Sequence, residues 1–241
     1  MKIDEEYVAL MSNRENIYRF IGRLYKIETD QAMLTQLAGI SFPSQCAEDE
    51  LNEGYRMMEG SLRQLGPDAL TVLAVDYAKV FLGAGIAELT AAYPYESVYT
   101  SPGRLIMQEA RDKVMEIYRA KGLEKSDSLD LPEDHIALEL EFMAFLCQES
   151  RRAYAAQSWT AAAASLVEQK EFLAQHLLNW VSAFCADIQK NAETSFYQAL
   201  AKITNGFLRM EQGMVEDLLE EATEEIAELQ ADDCFDKGSN K

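Results

Sequence analysis

Asp134 and His135 stand side by side at the head of the segment Pro132-Glu133-Asp134-His135-Ile136-Ala137-Leu138-Glu139-Leu140-Glu141-Phe142-Met143, and Glu139 follows His135 at i+4. A histidine and a carboxylate at that spacing share a helix face, where they could share a metal. The wider pattern does not build on this. A ferritin-like di-iron bundle needs Glu three residues before each His, and residues 132 and 173 are Pro and Leu, ahead of His135 and His176. Cys46, Cys147, Cys185 and Cys234 lie far apart and form no CxxC pair. Gly83-Ala84-Gly85-Ile86-Ala87-Glu88 resembles part of a dinucleotide loop, but it ends in Glu and follows a helical pattern rather than a strand. Asp232-Asp233-Cys234-Phe235-Asp236 has the look of an aspartate-rich Mg²⁺ motif, yet it sits inside an acidic run that reads as a solvated face. No Gly-x-Ser-x-Gly, Walker loop or nucleophile triad is present. The segment around His135 therefore reads either as a capped core helix or as a recognition pocket at a helix mouth.

Charge narrows the partners. The 241-residue chain carries a formal net charge of −19. Nucleic acid and anionic membrane surfaces both demand Lys and Arg, so neither fits as a partner. Basic partners fit better. The start Met1-Lys2-Ile3-Asp4-Glu5-Glu6 has no apolar run behind it, and no stretch of about 18 apolar residues exists. The expectation is a cytoplasmic protein with reduced cysteines and no stable membrane insertion.

Helical spacing of apolar residues runs almost throughout. Tyr7, Leu10, Met11, Ile17, Tyr18, Ile21, Leu24 and Tyr25 open it. Further helices are expected near 30–40, over 46–65, and from Pro67 through Phe81. Gly83, Gly85, Pro94 and Pro102 then break the pattern over 83–102. Helices resume near 103–121 and again from Asp130 or Pro132, where Asp130 and Glu133 have capping-box spacing. No proline follows Pro132, and the remaining helices are read near 132–150, 159–188, 194–210 and 212–230. The fold class is all-α, with about eight to ten helices in one globular unit over 1–210. Residues 211–241 form an acidic helix with a flexible tail: Glu211 to Asp236 contains eleven acidic side chains and no Lys or Arg.

Three segments taken together carry a resemblance. Phe81-Leu82-Gly83 leads into Tyr93-Pro94-Tyr95-Glu96-Ser97-Val98-Tyr99; the Glu133–Met143 segment follows; then come Phe172, His176, Trp180 and Phe184 at helical spacing. In this order the chain resembles the TorD/DmsD family of molybdoenzyme-maturation chaperones, over roughly residues 7–210. The resemblance implies an all-helical chaperone without catalytic activity. Its partner would be the precursor of a DMSO-reductase-type molybdoenzyme, bound through a twin-arginine signal peptide until the cofactor is inserted before export. It implies a monomer or a domain-swapped dimer, and no resident cofactor beyond transient contact with molybdopterin guanine dinucleotide or GTP. Carried over residue by residue, the peptide-binding set is Phe81, Pro94, Tyr95, Glu96, Ser97, Tyr99, Asp134 and His135. Tyr95 and Tyr99 would be aromatic walls, and Glu96 and Asp134 the anionic groups. Some members have tryptophan and glycine where this chain has Tyr95 and Glu96. A leader with two guanidiniums ahead of an apolar stretch asks for carboxylates beside an aromatic groove. The competing readings are a Mg²⁺-dependent helical transferase using Asp232–Asp236 and a generic helical adaptor.

Overall fold

The computed structural model describes residues 5–43, 45–85, 91–126 and 129–238, without the side chains of 228–238. Among the described residues there are ten α-helices and no strand. They are α1 (Glu5–Lys26), α2 (Gln31–Ala38), α3 (Asp49–Arg63), α4 (Ala69–Leu82), α5 (Glu96–Thr100), α6 (Glu109–Ala120), α7 (Ile136–Ala155), α8 (Trp159–Phe172), α9 (Val181–Asn191) and α10 (Ser195–Gly238). A π-helical turn, Leu173–Leu177, continues α8. Ile86, Ala87 and Glu88 of the glycine loop, and the side chains of Asp232–Asp236, lie outside the described residues.

Each long helix buries one stripe. On α1, Met11, Arg14, Tyr18, Ile21 and Tyr25 face inward at spacings of three and four. That stripe packs on α7, α3 packs on α10, and α7 also carries α8. α7 is the central element: Ile136, Ala137, Glu139, Leu140, Phe142, Met143, Ala144, Leu146 and Cys147 are all buried. A helix covered on nearly every side needs its first N–H groups satisfied inside the protein. His135 does this as N-cap, its Nδ1 accepting the Ala137 N–H at 3.1 Å.

Four boundaries differ from the sequence reading. α7 starts at Ile136 rather than at 130–132, and Glu133 closes no capping box. Its carboxylate goes instead to Arg111 at 2.5 Å and Lys125 at 3.6 Å. The helix read from 103 starts at Glu109, because Gly103, Arg104 and Met107 take left-handed φ values of 83°, 54° and 58°. The single helix read over 159–188 is two helices. The π-turn ends it, and Trp180 turns its indole N–H back onto the His176 carbonyl at 2.5 Å before α9 begins. At 211 there is no break: α10 runs through, with Glu211 fully buried and Val215 and Leu218 also buried beyond it. Among the described residues no helix is long and apolar enough to cross a membrane.

Candidate functional site

The two loops singled out in the sequence meet. Tyr95 and His135 form an isolated antiparallel backbone bridge. The Glu96 N–H donates to the Asp134 carbonyl at 2.9 Å, and the Ile136 N–H donates to the Pro94 carbonyl at 2.9 Å. Asp134 Oδ2 accepts the Ser97 N–H at 2.9 Å, which caps α5 from across the chain. The His135 ring rests edge-on against Tyr95, with centroids 5.1 Å apart. Thus Asp134 and His135 start two different helices, α5 and α7, at one junction. Burial pushes the His135 imidazole down to about 3, so it is neutral, and an accepting Nδ1 leaves its proton on Nε2.

The junction fixes Glu96, which is only 2% exposed. Its Oε2 pairs with His176 Nδ1 at 3.0 Å, and its Oε1 accepts from Asn179 Nδ2 at 2.9 Å. The π-turn widens the helix and brings both groups onto the same carboxylate; such bulges recur at functional sites.

Behind Glu96 lies Glu139, fully buried within hydrogen-bonding reach of it. Glu139 Oε2 accepts the Trp180 indole N–H at 3.2 Å, while Oε1 meets no donor. Burial first, then Glu96 and Asp134, push the Glu139 carboxyl well above the usual range. A protonated Glu139 removes the conflict, since it can donate to Glu96 and still accept from Trp180. Asp134 is also raised, by burial, against the opposing bond from Ser97. The site is thus a nest of carboxyl groups, closed by Trp180 and by Tyr118.

Glu96 forms part of the floor of a cleft of about 520 Å³ between α5, α6 and the π-turn. Thr100, Ser101, Gln108, Glu109, Lys113, Gln175, His176 and Asn179 complete its polar lining. Of the eight residues expected at the peptide site, Glu96 alone lines this cleft. Pro94, Ser97, Asp134 and His135 are buried behind it. Tyr95 is half-buried against His135. Tyr99 is half-buried too, stacked on Trp180 with centroids 5.4 Å apart and covered by the Arg104 guanidinium at 4.8 Å. Phe81 lies in the aromatic core among Tyr25, Tyr77, Phe184 and Tyr197. The sequence reading did not mark Asn179, Trp180 as partner of Glu139, or Arg104. Only the spacing of Phe172, His176 and Trp180 hinted at this wall, and nothing local pointed to Asn179. No group of three His, Cys, Asp or Glu side chains is placed to hold a metal among the described residues.

Comparison with known proteins places the chain in a family. Residues 45–186 match the family model described as nitrate reductase delta subunit. The chaperone protein TorD of Vibrio cholerae is 28% identical over 223 residues, which is 90% of this chain and 98% of that protein. The TorD chaperone of Shewanella pealeana is 27% identical over 86% of this chain and 91% of its own length. That of Psychrobacter sp. is 26% identical over 91% and 99%. The chain belongs to the nitrate reductase delta subunit family, and the relatives it resembles along most of its length are TorD chaperones.

Proposed function

We propose that this protein binds the twin-arginine signal peptide of a DMSO-reductase-type molybdoenzyme precursor in the cytoplasm and holds it until the cofactor is inserted, before export. The observation that carries the reading is Glu96 on the cleft floor, held by the junction of the Pro94–Tyr99 and Asp134–His135 segments. In this reading a guanidinium of the leader enters the cleft and shares the Glu96 carboxylate with His176 and Asn179. Pro94, Tyr95, Ser97, Tyr99, Asp134 and His135 position that carboxylate, and Phe81 supports them from the core. The excess of negative charge over the chain steers a basic leader toward it. The molybdenum cofactor is cargo for the client, and any contact with molybdopterin guanine dinucleotide or GTP is transient. The protein acts as a monomer or a domain-swapped dimer.

Titration calorimetry with a synthetic peptide bearing Arg-Arg and an apolar stretch tests this. Glu96→Gln keeps an acceptor for Asn179 but removes the charge, and should weaken binding by about 1–3 kcal/mol. Unchanged affinity, or equal affinity for a peptide with Gln-Gln in place of Arg-Arg, overturns the reading.

A further inference from the structure

Leu105, Ile106 and Met107 are consecutive, and they are 55%, 48% and 57% exposed. Single exposed apolar residues are ordinary, but three in a row on an ordered loop form a patch. The loop is held at both ends. Arg104 donates to Asp187 at 2.7 Å and to the Ala91 carbonyl at 3.3 Å, and lies over Tyr99. On the other side, the Gln108 N–H donates to Ser97 Oγ at 3.0 Å. Between these ties Arg104 and Met107 sit at positive φ, which side chains rarely adopt. Such strain persists only where the surroundings enforce it, and it clusters at ligand clamps. The fold therefore spends its tethers on presenting three apolar side chains to water.

The loop is continuous with the cleft, because Ser101, Pro102 and Gln108, which flank the three residues, line it. We infer that the Leu105–Met107 strap docks the apolar stretch that follows the arginine pair of the bound leader, so that one ligand spans Glu96 and the strap. This rests on the leader-binding reading and adds to it the surface that takes the uncharged half. Charge decides against the apolar groove beside α1. The groove of about 590 Å³ between α1, α2 and α3 offers Ile17, Phe20, Met33, Ile40 and Phe42. Its lining contains Arg19 and Arg23 and no carboxylate, which opposes a ligand led by arginines. The cleft beside the strap has Glu96 and Glu109 against a single cation, Lys113, which pairs with Glu109 at 2.8 Å.

The test uses the full chain and two synthetic peptides. One carries Arg-Arg followed by a Leu/Ala-rich stretch; in the other that stretch is Ser/Asn-rich. The triple substitution Leu105→Ser, Ile106→Ser, Met107→Ser should weaken the first peptide at least about tenfold and leave the second unchanged. The three side chains are exposed, so the melting temperature should stay where it is. A photo-reactive leucine in the apolar stretch should crosslink wild-type protein at residues 105–107. Equal affinity of wild type and the triple variant for the first peptide, or crosslinks at Met33 and Phe42 instead, overturns the strap assignment while leader binding stands. Wild-type protein that binds neither peptide overturns the leader reading itself, and the strap assignment with it.

Discussion

A carboxyl group shut away from water beside two other carboxyl groups holds its proton long after an exposed one has lost it. Glu139 is in that position, and the sign of its effect on stability follows. Its folded value is raised above the ordinary 4.5, so the folded state binds more protons than the unfolded state above that pH. Its contribution is complete below about pH 4.5 and is lost as pH rises toward the folded value, by at most about 1.4 kcal/mol per pH unit. His135 has the opposite sign: held neutral down to about 3, it costs stability only as pH falls below its unfolded 6.5. The two are therefore separable above pH 6.5. Glu139→Gln keeps a donor toward Glu96 and an acceptor for Trp180, and cannot ionise. Urea unfolding of wild type and variant between pH 6.5 and 8.5 should show the variant's advantage growing with pH. A constant difference across that range would mean that Glu139 is ionised in the fold. Residue chemistry of this kind was only half legible. Asp134 and His135 stood out as types, but their division of labour did not. Which helix each one caps depends on a bridge between segments 40 residues apart.

Helices are set by spacing, but the place where two of them touch is set by what is missing. α3 and α10 approach each other at Gly54 and Gly206. A Cβ on Gly206 would lie 2.5 Å from the Leu51 backbone nitrogen and 2.9 Å from its Cα, both backbone atoms that cannot swing aside. Gly213, two turns further along α10, has nothing within 4 Å. The same substitution should thus act in opposite directions. Gly206→Ala should cost about 1–3 kcal/mol through overpacking, whereas Gly213→Ala should gain about 0.5–1 kcal/mol from helix propensity. Thermal melting of the two variants decides it; equal shifts would show that α3 and α10 do not make this close contact. The inward stripe of α1 and the all-round burial of α7 were readable because apolar periodicity reports burial directly. The ends were not. Asp130 and Glu133 carry a helix-start pattern, yet Arg111 and Lys125 claim Glu133 from other parts of the chain. Pro102-Gly103 looks like punctuation before a helix, and the helix is delayed to Glu109 by tethers to Asp187 and Ser97.

At the scale of the whole molecule, the first and last helices are joined by an ion pair that no local pattern announces. Arg14 on α1 and Glu211 on α10 meet at 2.7 Å with side chains 2% and 0% exposed. Arg14 Nε also bonds both Glu211 oxygens at 3.0 Å, so two guanidinium nitrogens hold the carboxylate. Both residues fall outside the stretch 45–186 that carries the family match. A single partner removed leaves a charge buried in an apolar setting of Met11, Tyr18 and Cys147, whereas both removed together leave a repackable gap. Arg14→Met alone should therefore destabilise by about 3–5 kcal/mol, and adding Glu211→Leu should recover most of that loss. Denaturant midpoints of the two variants and wild type measure the coupling directly. The cleft at Glu96 is built from other elements, so the double variant should bind an arginine-pair peptide as wild type does. A double variant no more stable than the single one would mean that the pair is replaced by water rather than packed, and that α10 is held to α1 mainly by Met11, Leu166 and Leu218.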